Sequence, residues 1–453
     1  MCSSRARSLR VILLVAGVTV LLAACSTQDD SSQGTSSSPS SEARAKSGTA
    51  AGPTGGECKP PEAPVPPSGP SAVATTLPAA DDGPVVEAVV YPRPDADAEL
   101  WSQWGQGLVL PDGRFISAIG DHEGINGNSY LFVYEPAEQR LTRFGDVLSQ
   151  VEHEDGEWGY GKIHAQMVAG PCGEVFLSTY WGTRDDIEYT ETYRGDLLLQ
   201  LDPETLEMRV LGVPAPERGI PTLIGVPSEG LLYGGAVHPV PESEDYDKGG
   251  FFAFDIERNE VVFRADDDRL IGFRTILVDA DGTAYLAVRD GALVSYDPRE
   301  EELAEHSEGL PGGGWLRAST MPAPDGTVYG ATDEPFTFFA LEPDGSIRDL
   351  GEARGYTASL ALAPDGSRFY YVPDAHGHAH EQNTPLIEVD TETGEQNVIV
   401  ELNDLVEDEF GLTLGGTYNV ALDQDGKTVY IGFNAGEDQD DPWGEIVLVV
   451  VHL

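Results

Sequence analysis

The sequence predicts an all-β fold: a seven-bladed β-propeller, four antiparallel strands per blade, its ring closed by an N-terminal strand. Two observations carry this. A short turn of acid and glycine recurs seven times, at Pro111-Asp112-Gly113, Pro171-Cys172-Gly173, Ser228-Glu229-Gly230, Asp281-Gly282, Pro324-Asp325-Gly326, Pro364-Asp365-Gly366 and Asp425-Gly426. Each turn is followed by an aromatic or β-branched run, from Arg114-Phe115-Ile116 to Thr428-Val429-Tyr430-Ile431. Hairpins at regular spacing are the mark of radial repetition, in which small sheets bury their faces on one another.

From the N-terminus, Arg5, Arg7 and Arg10 form a basic start and Val11 to Leu22 an apolar stretch. That stretch is too short to span a membrane and reads as an export signal. It ends in Leu22-Ala23-Ala24-Cys25, which resembles the lipobox of bacterial lipoproteins. The resemblance implies removal of residues 1–24, lipid on Cys25, and an extracytoplasmic protein anchored to the bacterial cell membrane. From Ser26 to about Ala80 the chain is Ser, Gly, Pro, Thr and Ala with few large apolar residues, so residues 25–80 read as a flexible tether. Residues 81–453 read as the propeller.

The formal net charge is −50, with lysine confined to positions 46, 59, 162, 248 and 427. Such a surface repels nucleic acid and anionic lipid, and excludes DNA or RNA as partners. Beyond Cys25 two cysteines follow, Cys58 and Cys172. Export favours disulfides, so one bridge tying tether to propeller is expected.

Within the propeller, the fifth repeat divides into strands Arg317–Ala323, Thr327–Ala331, Thr337–Leu341 and Ser346–Leu350, inner to outer. The last repeat offers three, Tyr418–Leu422, Thr428–Phe433 and Glu445–Val451. The spare run Val85–Tyr91 is expected to supply its fourth and close the ring, removing an exposed edge. No segment carries a helical stripe. In such a meander the first-to-second turns are short, while the second-to-third loops are long: 121–128, 181–195, 237–249, 373–385 and 434–443. Long loops on a rigid frame are where function usually resides. His122, His238, His376, His378 and His380 fall in them.

Counting back from each turn glycine places Trp104, His164, Arg317, Thr357 and Thr417 at the channel mouth, with Arg274 one position out of register. His164, Tyr180, Arg274 and Arg317 are the candidate catalytic set: arginines to clamp a carboxylate, the histidine as acid or base. Trp104, Trp181, His122 and His238 are candidate ligand contacts, Tyr180 and Trp181 being suited to stacking. In an extended loop His376, His378 and His380 would share one side and could hold a divalent metal. The same residues read equally as channel polarity and a solvated loop.

The phrases APDGTVYGAT (323–332), LAPDGSRFYYV (362–372) and VDADGTAYLAV (278–288) resemble the repeats of gluconolactonase-like and virginiamycin-B-lyase-like propellers. The resemblance implies the fold. The metal-binding Glu, Asn and Asp pattern of gluconolactonases is not evident at the inner positions, so no catalytic residue is carried over. Some polysaccharide lyases are similar in showing His, Tyr and Arg on one face of seven blades. Three functions therefore stand: binding of a small molecule, glycan or protein on the long-loop face, lyase action on uronic-acid-containing sugar, or a purely structural role in envelope assembly that needs no site.

Overall fold

A computed structural model describes residues 64–78, 83–94, 100–181, 193–226, 229–238, 249–267, 269–271, 274–288 and 291–453. These all lie in one compact unit, Ala51–Leu453. They form seven antiparallel sheets, each a meander from an inner to an outer strand. The innermost strands, in ring order, are Leu108–Val109, Val168–Ala169, Gly219–Val226, Leu277–Val278, Trp315–Ser319, Ala361–Leu362 and Thr413–Leu422.

The turns work as their composition predicts. Gly113, Gly173, Gly230, Gly282, Gly326, Gly366 and Gly426 all have positive φ, between 65° and 92°, where a side chain would be strained. In the fifth and sixth blades the aspartate before the glycine locks the turn. Asp325 Oδ1 accepts the Thr327 amide at 3.0 Å, and Asp365 Oδ1 accepts that of Ser367 at 3.0 Å.

Closure also follows the expected route. Val85–Val90 pairs antiparallel with Glu445–His452, Val86 opposite Val451 and Ala88 opposite Val449. Two additional short strands lie in the stretch assigned to the tether. Thr75–Leu77 pairs with Val85–Val90, and Ser71–Val73 pairs with the outer strand of the first blade, Arg140–Asp146. Ordered chain therefore begins before residue 81. Cys58 lies outside the described residues, and with it the expected Cys58–Cys172 pairing; so do the signal segment and Cys25.

The core lies between blades rather than at one centre. Middle strands such as Leu231–Val237 are buried on both faces, which is why they read as continuous apolar runs. The third and fourth blades meet through Tyr233, Phe251 and Tyr296, with ring centroids 5.1–5.6 Å apart. Each such side chain contributes about 1.5–3 kcal/mol by its burial. One helix was not expected: Asn403–Phe410 links the sixth and seventh blades and ends at Gly411, φ 68°. At eight residues it is too short to display a periodic stripe, and only Val406 and Asn403 on it are buried.

Candidate functional site

At the long-loop end of the channel, residues from six blades converge. Trp104 is the hub. Its ring stacks on Tyr418 at 4.8 Å and on Trp443 at 5.5 Å, and lies 5.5 Å from His376 and 6.1 Å from His122. Its Nε1–H donates to Ser102 Oγ at 2.7 Å, fixing the ring. Three cations line the same mouth. Lys162 Nζ sits 3.9 Å from the Trp104 ring centre, and the Arg274 guanidinium 4.3 Å from that of Tyr418. Arg274 also donates to the Trp104 carbonyl at 3.3 Å. Arg317 lies 4.6 Å from the Tyr356 ring centre and 3.6 Å from Asp333. Cations over aromatic faces gain from the ring quadrupole, most when desolvated.

Local backbone irregularity aims several of these side chains. The pairing of Trp315–Ser319 with Val328–Asp333 shifts between Leu316 and Ala318, which leaves Arg317 as the extra residue of a bulge. The inner strand of the seventh blade shifts likewise between Thr417 and Asn419, around Tyr418. Arg274 has φ 76° and His122 φ 58°. Bulges and strained dihedrals that re-aim side chains concentrate at functional sites.

Beneath the mouth, His164, Arg274, Arg317 and Tyr418 line one narrow cavity with Gln106 and Gln166. His164 is buried, and its Nδ1–H donates to the Pro221 carbonyl at 2.8 Å. That bond fixes the tautomer and makes Nε2 the lone-pair nitrogen. Burial holds the His164 pKa well below 6.5, and Arg274 and Lys162 push it the same way. His376, bonded to the Tyr418 hydroxyl, is lowered by partial burial and by Arg274 and Lys162. Burial and Arg274 bring Arg317 down to about 10. Burial pushes Tyr418 up to about 12. The ensemble is a cationic pocket with neutral imidazoles, walled by aromatic rings.

Of the residues singled out in the sequence, Trp104, His122, His164, Arg274, Arg317 and His376 meet here. The Tyr180 ring is 5.0 Å from that of His164. Tyr180 and Trp181 are nonetheless buried, 2% and 8% exposed, in a cluster with Trp158 and Tyr193, so they do not stand open as stacking platforms. His238 is half-buried just past Leu231–Val237. Thr357 and Thr417 turn to backbone carbonyls. The histidine loop is not extended: Ala379–Gln382 is a 3₁₀ turn. His376 joins Tyr418, whereas His378 bonds Glu381 at 2.9 Å with 69% of its side chain exposed. Among the described residues, no group of three His, Cys, Asp or Glu is placed to hold a metal ion. Sequence reasoning missed Lys162, Tyr356, Tyr418 and Trp443.

Fold and site together define a seven-bladed β-propeller with a cationic, aromatic channel mouth. Neither a protein-family model nor a curated protein matches the chain, so neither family suggested by its repeat phrases is shown. Among solved structures it is similar to the oligogalacturonate lyase of Vibrio parahaemolyticus, at 14% identity and TM-score 0.52, over 85% of this chain and 98% of that one. It also aligns with the hydrazine synthase of Kuenenia stuttgartiensis, at 16% identity and TM-score 0.44, over 75% of this chain and 95% of the other. What the likeness to the oligogalacturonate lyase shows, at 14% identity, is the fold alone.

Proposed function

We propose that the protein binds a carboxylated saccharide at the long-loop mouth of its channel, held at the cell envelope by lipid on Cys25. One observation carries the reading. In a chain of net charge −50, Lys162, Arg274 and Arg317 gather on one aromatic-walled mouth, where Arg317 also pairs with Asp333 at 3.6 Å. Arginine matches a carboxylate in planar, bidentate fashion, and the partly exposed ring of Trp443 suits a sugar face. Titration with trigalacturonate, followed by tryptophan fluorescence, tests this. Arg274→Ala should weaken binding about ten- to a hundredfold, the scale of a hydrogen bond to a charged group. Equal binding of neutral maltotriose would overturn the reading.

A second reading, lyase action on uronic-acid-containing sugar, is favoured by the state of His164. A neutral imidazole with Nδ1–H engaged on Pro221 presents Nε2 as a proton acceptor. Nε2 would take the proton α to the sugar carboxylate while Arg274 and Arg317 stabilise the charge that develops. A carbon–carbon double bond then forms, the glycosidic C–O bond breaks, and the departing oxygen takes a proton from solvent. The solved structure reported above as similar is that of an oligogalacturonate lyase. The assay is growth of ultraviolet absorbance from the double bond conjugated to the carboxylate. His164→Ala should abolish turnover and retain trigalacturonate binding. Turnover that survives His164→Ala would eliminate that residue as the base.

A further inference from the structure

The channel has a second mouth of opposite character. On the face of the short turns it opens as a funnel of about 590 Å³, parted from the cationic cavity by Gln106, Gln166 and Ser319, which line both. That size lies within the ~300–1,000 Å³ typical of small-molecule sites. No lining residue is ionisable, in a chain of which 23% is charged. Its walls include Leu108, Met167, Ile224, Met321, Leu360 and Leu422. Two of the chain's four methionines stand here, and their flexible, polarizable side chains mould to apolar ligands. At the apex, Gln166 Oε1 is buried and has no hydrogen-bond partner among the described residues. A buried acceptor left so is costly, and a ligand donor would satisfy it.

The surroundings select further. The turns on this face carry Asp112, Asp281, Asp325, Asp365 and Asp425, whose charge disfavours an anionic ligand. We propose that the funnel binds an uncharged apolar molecule carrying one hydrogen-bond donor, its apolar body on the leucine and methionine walls and its donor on Gln166 Oε1. This site is separate from the saccharide site and does not depend on it.

N-phenylnaphthylamine, an uncharged arylamine that brightens in apolar surroundings, is a direct probe for the full chain. Saturable brightening is expected, reversed by decanol and indifferent to trigalacturonate. Met321 is 44% exposed at the rim, so Met321→Glu should fold normally, by circular dichroism, and lower probe affinity by at least about tenfold through desolvation of the new charge. Gln166→Leu should lower it several-fold by deleting the acceptor, while Arg274→Ala leaves it unchanged. The proposal is overturned by no saturable brightening, by undiminished affinity in both Met321→Glu and Gln166→Leu, or by displacement with trigalacturonate. The last result would place the probe in the saccharide site.

Discussion

His164 shows how one residue's surroundings set its chemistry. Its folded-state pKa is well below 6.5, by burial first and then by Arg274 and Lys162. Between that value and 6.5 the unfolded chain therefore binds more protons than the folded one, so stability is full above this window and lost as pH falls through it. The slope contributed is at most about 1.4 kcal/mol per pH unit. His164→Gln removes the titrating group, so urea midpoints should fall less steeply below about pH 6.5 than in the parent. Parallel slopes would mean the folded imidazole accepts the proton after all. Asp196 is a contrasting case. It accepts from Thr179 Oγ1 at 2.9 Å, Tyr193 OH at 3.0 Å and the Ile220 amide at 3.2 Å, and burial raises its pKa to about 7. Asp196→Ala leaves these buried donors without their acceptor and should cost on the order of 3 kcal/mol in chemical denaturation. Counting from turn glycines found Trp104, His164 and Arg317 because the same interval separates each of them from its turn glycine, Gly113, Gly173 or Gly326. It chose Thr417 over Tyr418 because a bulge, which alternation does not encode, shifts the register there by one. Lys162 was within reach, two positions before His164, but it reaches Trp104 of another blade, a contact no local pattern records.

Among the elements, the closing strand carries the most consequence. Val85–Val90 is the partner that spares Glu445–His452 an open edge, and Val86, Ala88 and Val449 are fully buried beneath it. Its seam is continued by Gln103 and Asn434, which exchange bonds of 2.8 and 2.9 Å between the first and last blades. Proline at Ala88 removes a ladder donor and should destabilise by about 3 kcal/mol, read as a lower urea midpoint. An unchanged midpoint would show that the ring stays shut without this strand. The strand was legible because a valine-rich run of six residues, interrupted only by Glu87 and Ala88, stands apart upstream of the first turn, where the last repeat is one strand short. The helix Asn403–Phe410 was not legible. Its acidic residues Asp404, Glu407, Asp408 and Glu409 face solvent or its ends, and two buried positions define no period. Nor was the histidine loop: alternation held only if it were extended, and the 3₁₀ turn at Ala379–Gln382 separates the imidazoles.

At the scale of the whole molecule, two fields of opposite sign compete for an anionic ligand. The chain's net charge of −50 dominates at distances where individual groups blur together, while Lys162, Arg274 and Arg317 dominate at contact. A trigalacturonate approaching from solution meets repulsion first and attraction last. Salt acts on these unequally, because exposed charges beyond a Debye length are screened and partly buried ones much less. Raising ionic strength from about 0.01 M to about 0.15 M shortens that length from about 30 to about 8 Å. The association rate, measured by stopped-flow fluorescence, should therefore rise with salt, the reverse of ordinary electrostatic steering toward a cationic site. Arg274→Ala should act mainly on dissociation, since its guanidinium works at contact, beneath the rim. An association rate that falls with salt would mean that the three cations already govern at encounter distance and that the acidic surface does not extend its field over the mouth.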